Sequence, residues 1–175
     1  QREEGVTTLI SSGEMLTGAA EDCFTDVDIY ADDVRLFQYL FISPISSKSA
    51  INFYRYFIVD TLDVDRDRCY HVEFTPNNPR DFGFSGSLYV MADSTWRLKR
   101  ARLNIPSMST VNFVDEMSIV QDFKTLPTGE QVVENNTSLI QMSIVSWFQK
   151  FQVERVVKYS EWDFEPIPDR TFDFL

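Results

Sequence analysis

The chain has 175 residues, 43% of them apolar and 25% charged, which is an ordinary balance for one globular domain with its own core. Its 16 lysines and arginines are outnumbered by 27 aspartates and glutamates, and the resulting net charge of -11 argues against nucleic acid as a partner. No stretch reaches the roughly 18–20 apolar residues of a membrane-spanning helix, so we expect that the chain itself does not span a membrane. Aromatic residues make up 14% of the chain and favour β structure.

The first part of the chain is the least regular. Residues 1–33 combine glycines with an acidic run and little periodicity, which predicts an irregular lead-in. Residues 34–42, VRLFQYLFI, form a dense apolar run that Pro44 ends, because proline removes a backbone donor and biases its predecessor toward extended geometry. This run fits either a strand or a short helix.

Two runs at 51–62 and 68–74 are rich in aromatic and β-branched residues and are separated by the polar DVDRD. The second run alternates with the period of two of a half-buried strand, with one face formed by Tyr70, Val72 and Phe74. Together the two runs predict a hairpin. The TPNNPRD segment that follows is predicted as a loop from its prolines and asparagines.

A second hairpin is expected in FGFSGSLYVMADSTWRLKRARL, residues 82–103, with its turn within 91–96. On the return strand, strict alternation places Lys99 on one face with Ala101, Leu103 and Ile105, and places Leu98 on the other with Arg100, Arg102 and Asn104. The basic side chains of this strand therefore concentrate on one side.

Further strands are expected at 111–124, at 131–145 after the turn at 127–129, and at 147–159. No segment shows a convincing helical periodicity. We therefore predict one mainly β domain over 34–160, a curved antiparallel sheet or half-barrel of about seven to nine strands with little helix. Residues 161–175, which are acidic and contain two prolines, are interpreted as a linker toward a missing C-terminal region.

Four of these segments carry a resemblance: FISPIS at 41–46, FYRYFIVDTL at 53–62, YHVEFTPNNPRDFGFSGSLYV at 70–90 and NFVDEMSIVQDF at 112–123. Their order and spacing resemble a family of large, functionally uncharacterised outer-membrane proteins of Bacteroidetes-type bacteria. In that family a region like this one follows an N-terminal carboxypeptidase-regulatory-like domain and precedes a membrane β-barrel. The resemblance implies a periplasmic or cell-envelope location, with the adjoining barrel domain as a partner.

A second, looser likeness concerns shape. The succession of a strand, a loop, an F-x-G-x-hydrophobic strand, a turn and a charged return strand is similar to periplasmic lipoprotein carriers. In those proteins a curved antiparallel sheet forms a half-barrel whose apolar face holds acyl chains. This likeness implies a lipid or lipoprotein as a ligand.

Catalytic and metal chemistry have little support in the sequence. His71 is the sole histidine of the chain, so a histidine-assisted nucleophile would depend on it alone, and a strand-surface histidine is the simpler interpretation. Cys23, Cys69 and His71 lack the spacing of a zinc site, and Asp63–Phe74 lacks the glycine and glutamate of a calcium loop. We therefore predict no catalytic residue, no metal and no cofactor. The two cysteines permit a disulfide without requiring one.

The basic strand allows two interpretations. Arg97, Lys99, Arg100 and Arg102 pair with surplus acidic side chains across the sheet, or they form a cationic rim for an anionic ligand. The segment at 51–62, INFYRYFIVDTL, carries aromatic residues at both odd and even positions. We expect it to line an apolar groove or to be buried on both faces. The predicted ligand-binding residues are therefore Phe53, Tyr54, Phe57, Arg97, Lys99, Arg100 and Arg102.

The sequence favours a non-catalytic binding module that takes a lipid, a lipoprotein or a peptide. The alternatives are a carboxylate-dependent hydrolase of envelope glycans or lipids, and a structural spacer. Two facing carboxylates in a pocket would favour the hydrolase, because hydrolysis of a glycosidic bond uses such a pair.

Overall fold

The computed structural model describes residues 26–36, 39–105, 114–143 and 150–164. In these ranges the chain forms nine strands and one short helix. Their bounds are β1 Asp33–Leu36, β2 Tyr39–Ile42, α1 Ala50–Phe53, β3 Tyr54–Val64, β4 Asp67–Pro76, β5 Ser85–Met91, β6 Leu98–Ile105, β7 Val114–Thr125, β8 Gln131–Ser143 and β9 Lys150–Lys158.

Strands β3 to β9 form one seven-stranded sheet in which each strand pairs antiparallel with the next along the chain. The sheet is not closed, so β3 and β9 are its two edges. Strands β1 and β2 form a separate antiparallel hairpin. The prediction of a mainly β, open antiparallel sheet with little helix is confirmed.

The turns follow from local sequence. Asp65 and Arg66 join β3 to β4 with φ angles of 49° and 76°, the positive values of a two-residue hairpin turn. Between β7 and β8, Gly129 has a φ of 101° and its amide donates to the Leu126 carbonyl at 2.9 Å. Both predicted turns are therefore confirmed, and within the polar 63–67 segment the turn itself is formed by Asp65 and Arg66.

One face of the sheet is covered by residues 26–36 and 39–53, which include β1, β2 and α1. We call this the covered face. Phe41 from β2 stacks on Phe84 with ring centroids 4.6 Å apart, and both are fully buried. The core between the two layers includes Val27, Ile29, Val34, Leu36, Leu88, Leu103, Met117, Ile119, Phe123 and Ile140.

Hydrogen bonds fix the covering segment to the sheet. The Gln121 amide donates to the Val27 carbonyl at 2.6 Å, and the Tyr56 hydroxyl donates to the Pro44 carbonyl at 2.7 Å. Each bond satisfies a buried carbonyl that belongs to neither a helix nor a strand ladder. The irregular parts of the covering segment can therefore be buried without leaving these groups unpaired.

The predicted faces of β6 need one correction. Strict alternation grouped Leu98 with Arg100, but Leu98 is buried in the core. The reason is a β-bulge: Tyr89 pairs with Arg100 while Val90 pairs with Leu98, so Lys99 is the extra residue. The bulge turns Leu98 to the covered face and removes Lys99 from the core face on which it was expected.

Candidate binding face

The side of the sheet opposite the covered face is called the open face. Side chains alternate along each strand, so the open face receives those that do not enter the core. On β4 these include His71 and Glu73, and on β5 they include Ser87 and Tyr89, all half-buried or exposed. The open face is therefore the broad surface on which this fold presents polar chemistry.

A row of polar side chains crosses the open face in register. Asp60, His71, Tyr89, Arg100 and Asp122 lie on successive strands from β3 to β7 and are paired in that order. His71 Nδ1 lies 3.2 Å from an Asp60 carboxylate oxygen, and its ring stacks on Tyr89 with centroids 4.8 Å apart. Arg100 Nε donates to Asp122 at 2.5 Å. Side-chain contacts therefore join β3 to β5 and β6 to β7, and backbone pairing of Tyr89 with Arg100 connects the two parts of the row.

His71 is held in this row by its contacts with Asp60 and Tyr89. Its second ring nitrogen, Nε2, is buried and has no hydrogen-bond partner within the part of the chain that the structure describes. A catalytic base must reach the proton that it abstracts, either directly or through one water. The stacked ring fits a packing role better than a catalytic one.

Cross-strand pairing of the basic strand is confirmed for Lys99 and Arg100. Lys99 Nζ lies 2.8 Å from an Asp67 carboxylate oxygen, and Arg100 lies 3.5 Å from Asp65 in addition to its bond with Asp122. Burial lowers the pKa of Lys99, but the hydrogen bond and charge of Asp67 outweigh that effect, and the pKa is raised. These two cations are neutralised by the chain's own carboxylates.

The other two predicted cations are placed differently. Arg97 donates to the Thr125 hydroxyl at 3.3 Å. Arg102 is exposed on β6 and pairs in register with Ser87 and Val120, and no ion pair joins it to another described residue. Among the four basic side chains, Arg102 is therefore the one best placed to meet a ligand.

The predicted aromatic residues do not share a surface. Tyr54 is 2% exposed on the covered face, where its hydroxyl donates to the Ile42 carbonyl at 2.6 Å. Phe53 ends α1 and packs edge-on against Tyr54 with ring centroids 4.7 Å apart. Phe57 lies on the open face and is 53% exposed. Only Phe57 of the three is available at the solvent-facing surface of the sheet.

A cleft of about 290 Å³ lies on the open face beside Phe57. The remaining side chains of its wall come from β4, β5 and β6 and are mostly neutral and polar: Glu73, Thr75, Ser85, Ser87 and Asn104. Gly86, with a φ of 152°, contributes backbone to the cleft. Phe74 also lines the cleft, which therefore combines two aromatic residues, one carboxylate and several hydroxyl or amide groups.

The edge strand β3 carries an unusual apolar run. Phe57, Ile58 and Val59 are consecutive and are 53%, 72% and 52% exposed. The register between β3 and β4 shifts between Ile58 and Asp60, which makes Val59 the extra residue of a bulge. No strand of the described residues pairs with the outer side of β3. The edge therefore offers free backbone groups together with apolar side chains.

A family model described as a family of unknown function (DUF5686) matches residues 3–161. The chain belongs to this family. Searches of curated proteins and of solved structures found no significant match. This family has no described function, so membership does not indicate what the chain binds or does.

The described residues of this family member contain no group of three or more histidine, cysteine, aspartate or glutamate side chains able to hold a metal ion. They also contain no helix long and apolar enough to cross a membrane.

Cys69 is buried, and its thiol donates to the Asp67 carbonyl at 3.4 Å. Burial raises the pKa of that thiol, which makes it a poor nucleophile. Cys23 lies outside the described residues.

The cleft on the open face was not predicted from the sequence. Its polar side chains come from three strands, and serines, threonines and asparagines scattered over such strands have no recognisable spacing. The available signal was Gly86 between two serines, because glycine inside a strand marks a bend or a close backbone approach.

Proposed function

We propose that this chain is a non-catalytic binding module that pairs along the edge strand β3 with an extended strand of a partner protein. The observation that carries the proposal is the exposure of Phe57, Ile58 and Val59 on a strand whose outer side is unpaired among the described residues. Natural edge strands are usually shielded by charges, prolines or covering segments. An exposed apolar run at such an edge marks a surface used for association.

The chemistry of this edge favours a strand over a compact surface. An added strand satisfies the free N–H and C=O groups of β3, while its side chains meet those of β3 on both faces. Phe57 projects to the open face and Ile58 to the covered face, so the partner strand needs apolar residues on both of its faces. Both side chains are already partly buried, so burying the remainder contributes only part of the roughly 1.5–3 kcal/mol of a fully exposed side chain, before the costs of association.

The bulge at Val59 restricts the partner. Bulges interrupt the regular ladder and are one device by which edge strands avoid indiscriminate pairing. A partner strand must match this interruption or pair only with the residues on one side of it. The edge therefore favours a specific partner over general aggregation.

The other functions considered have weaker support in the geometry. A lipid on the covered face would have to replace residues 26–36 and 39–53, which contribute Val27, Ile29 and Phe41 among others to that core. The cleft contains a single carboxylate, Glu73, among its described lining residues, whereas glycoside hydrolysis uses two. A pure spacer does not account for an exposed apolar edge.

The cellular setting is part of the same proposal. The resemblance to Bacteroidetes-type outer-membrane proteins supports a periplasmic location, and the adjoining barrel domain is then the partner expected to supply the strand. Fractionation of the full-length protein tests this setting. Recovery with the outer-membrane fraction supports it, and recovery with the cytosolic fraction contradicts it.

The binding edge is tested by comparing two equally exposed valines on the two edge strands. Val59 on β3 is 52% exposed and Val156 on β9 is 53% exposed. Benzoylphenylalanine is introduced at one position or the other in the full-length protein, irradiated in intact cells, and the crosslinked peptides are sequenced by mass spectrometry. We expect the variant at position 59 to crosslink to one defined extended apolar segment. Equal labelling from both positions, or labelling from position 156 alone, would contradict the proposal.

A further inference from the structure

The cleft on the open face contains polar side chains that are not used inside the described part of the chain. Glu73, Thr75, Ser85, Ser87 and Asn104 make no side-chain hydrogen bond to another described residue. Unused donors and acceptors that face one cavity are the groups through which a ligand is oriented.

Gly86 brings β5 close to β6 beside this cleft. It has a φ of 152°, and a Cβ at this position would collide with the carbonyl oxygen of Arg102 on the neighbouring strand. Gly86 pairs with Phe74 and Leu103, which are both buried in the core. Because side chains alternate along a strand, Ser85 and Ser87 therefore lie on the open face, where they line the cleft.

We infer that this cleft binds a saccharide. Hydroxyl and amide side chains both donate and accept, as sugar hydroxyls do, and the Glu73 carboxylate accepts from two neighbouring hydroxyls. Phe57 supplies an exposed ring on which the apolar face of a sugar ring packs. The volume of about 290 Å³ lies at the small end of the roughly 300–1,000 Å³ typical of ligand pockets, which fits one or two sugar units.

Two other ligand classes fit the wall less well. An acyl chain would bury the Glu73 carboxylate and the hydroxyls without partners, which is costly. A phosphate or carboxylate ligand would meet the Glu73 charge inside the cleft. The saccharide site shares Phe57 with the edge strand β3, whereas its polar wall comes from β4, β5 and β6.

The test is a titration of the 175-residue chain followed by amide chemical shifts, with maltose, cellobiose and N,N′-diacetylchitobiose as probes up to about 20 mM, well above a Kd of about 1 mM. We expect saturable shifts at the amides of residues 85–87 and 104 with at least one sugar. Glu73→Gln removes the charged acceptor and is expected to weaken binding about tenfold. Glu154→Gln removes an exposed carboxylate from β9, outside the cleft, and should leave binding unchanged.

Two results would overturn the inference. One is the absence of saturable shifts at the cleft amides with all three sugars, and the other is equal weakening by the two glutamate variants. Crosslinking at Val59 is measured separately in the Glu73→Gln protein. Crosslinking that persists while sugar binding is lost, or the reverse, distinguishes failure of the saccharide site from failure of the partner edge.

Discussion

Substitution of Gly86 by alanine tests how closely β5 approaches β6. At a φ of 152° an alanine is strained by about 1–3 kcal/mol. Its Cβ would also collide with the Arg102 carbonyl oxygen and lie 3.0 Å from the carbonyl carbon, and relieving such overpacking costs about 1–3 kcal/mol more. The expected loss is therefore about 2–6 kcal/mol, a large part of the roughly 5–15 kcal/mol that stabilises a typical domain.

Gly129→Ala is the matched control, because Gly129 also has a positive φ, 101°, but nothing lies within 4 Å of a Cβ there. Its expected cost is only the strain of about 1–3 kcal/mol. Urea unfolding followed by tryptophan fluorescence gives both free energies of unfolding. If the two variants agree within roughly 0.5 kcal/mol, the close approach of β5 and β6 is not a feature of the folded chain.

Two further predictions concern buried titratable groups. Burial raises the pKa of Tyr56 to about 12 in the folded chain, so its bond to Pro44 stabilises the fold fully below the unfolded pKa of about 10 and loses that effect as the pH rises through 12. Tyr56→Phe should therefore cost about 1 kcal/mol near pH 8, and this cost should shrink above pH 10 and reverse toward pH 12, because only the unfolded wild-type chain ionises this side chain in that range; a pH-independent difference in urea unfolding would contradict this assignment. In a Cys23→Ser background, Cys69 should react with a thiol reagent only at the rate of local opening, because it is buried and its thiol pKa is raised. Labelling as fast as in the urea-unfolded chain would place Cys69 at the surface.

Much of the fold could be predicted because the strands carry local signals. Alternation on β4, the polar turn at 63–67 and the Pro-Thr-Gly turn at 127–129 each determine a hairpin without reference to distant residues. An unbroken series of hairpins gives a meander, and the described sheet has that order. The bulge at Lys99 was missed, because a bulge inserts one residue without a required residue type.

The covering layer was the main feature that sequence reasoning missed. Residues 26–32 read as part of an irregular lead-in, yet Val27 and Ile29 are buried in the core. Their spacing of two was the available signal, but a run this short does not distinguish a packed segment from a loop. The packing of such a segment depends on the sheet that it covers, so it can be recognised only when the structure of the sheet is known.

The candidate site was predicted only in part. The charge pairs of Lys99 and Arg100 followed from the surplus of acidic residues. Arg100 pairs with Asp122 on the neighbouring strand, as is natural in a meander, whereas Lys99 on β6 reaches across β5 to Asp67 on β4. The exposure of Phe57 and Ile58 did not follow, because an apolar strand can be central or at an edge, and only the strand order decides between them. The cleft depends on three-dimensional convergence and has no counterpart in sequence spacing.

The most direct test of partner pairing at β3 is amide hydrogen exchange over residues 54–64. The exchange is measured by mass spectrometry in the full-length protein within envelope preparations and in the purified 175-residue chain. An added strand would protect the outward-facing amides of β3, so we expect their exchange to slow by at least about tenfold in the envelope, while exchange over β9 is unchanged. Equal exchange over β3 in both preparations, or protection confined to β9, would contradict the account.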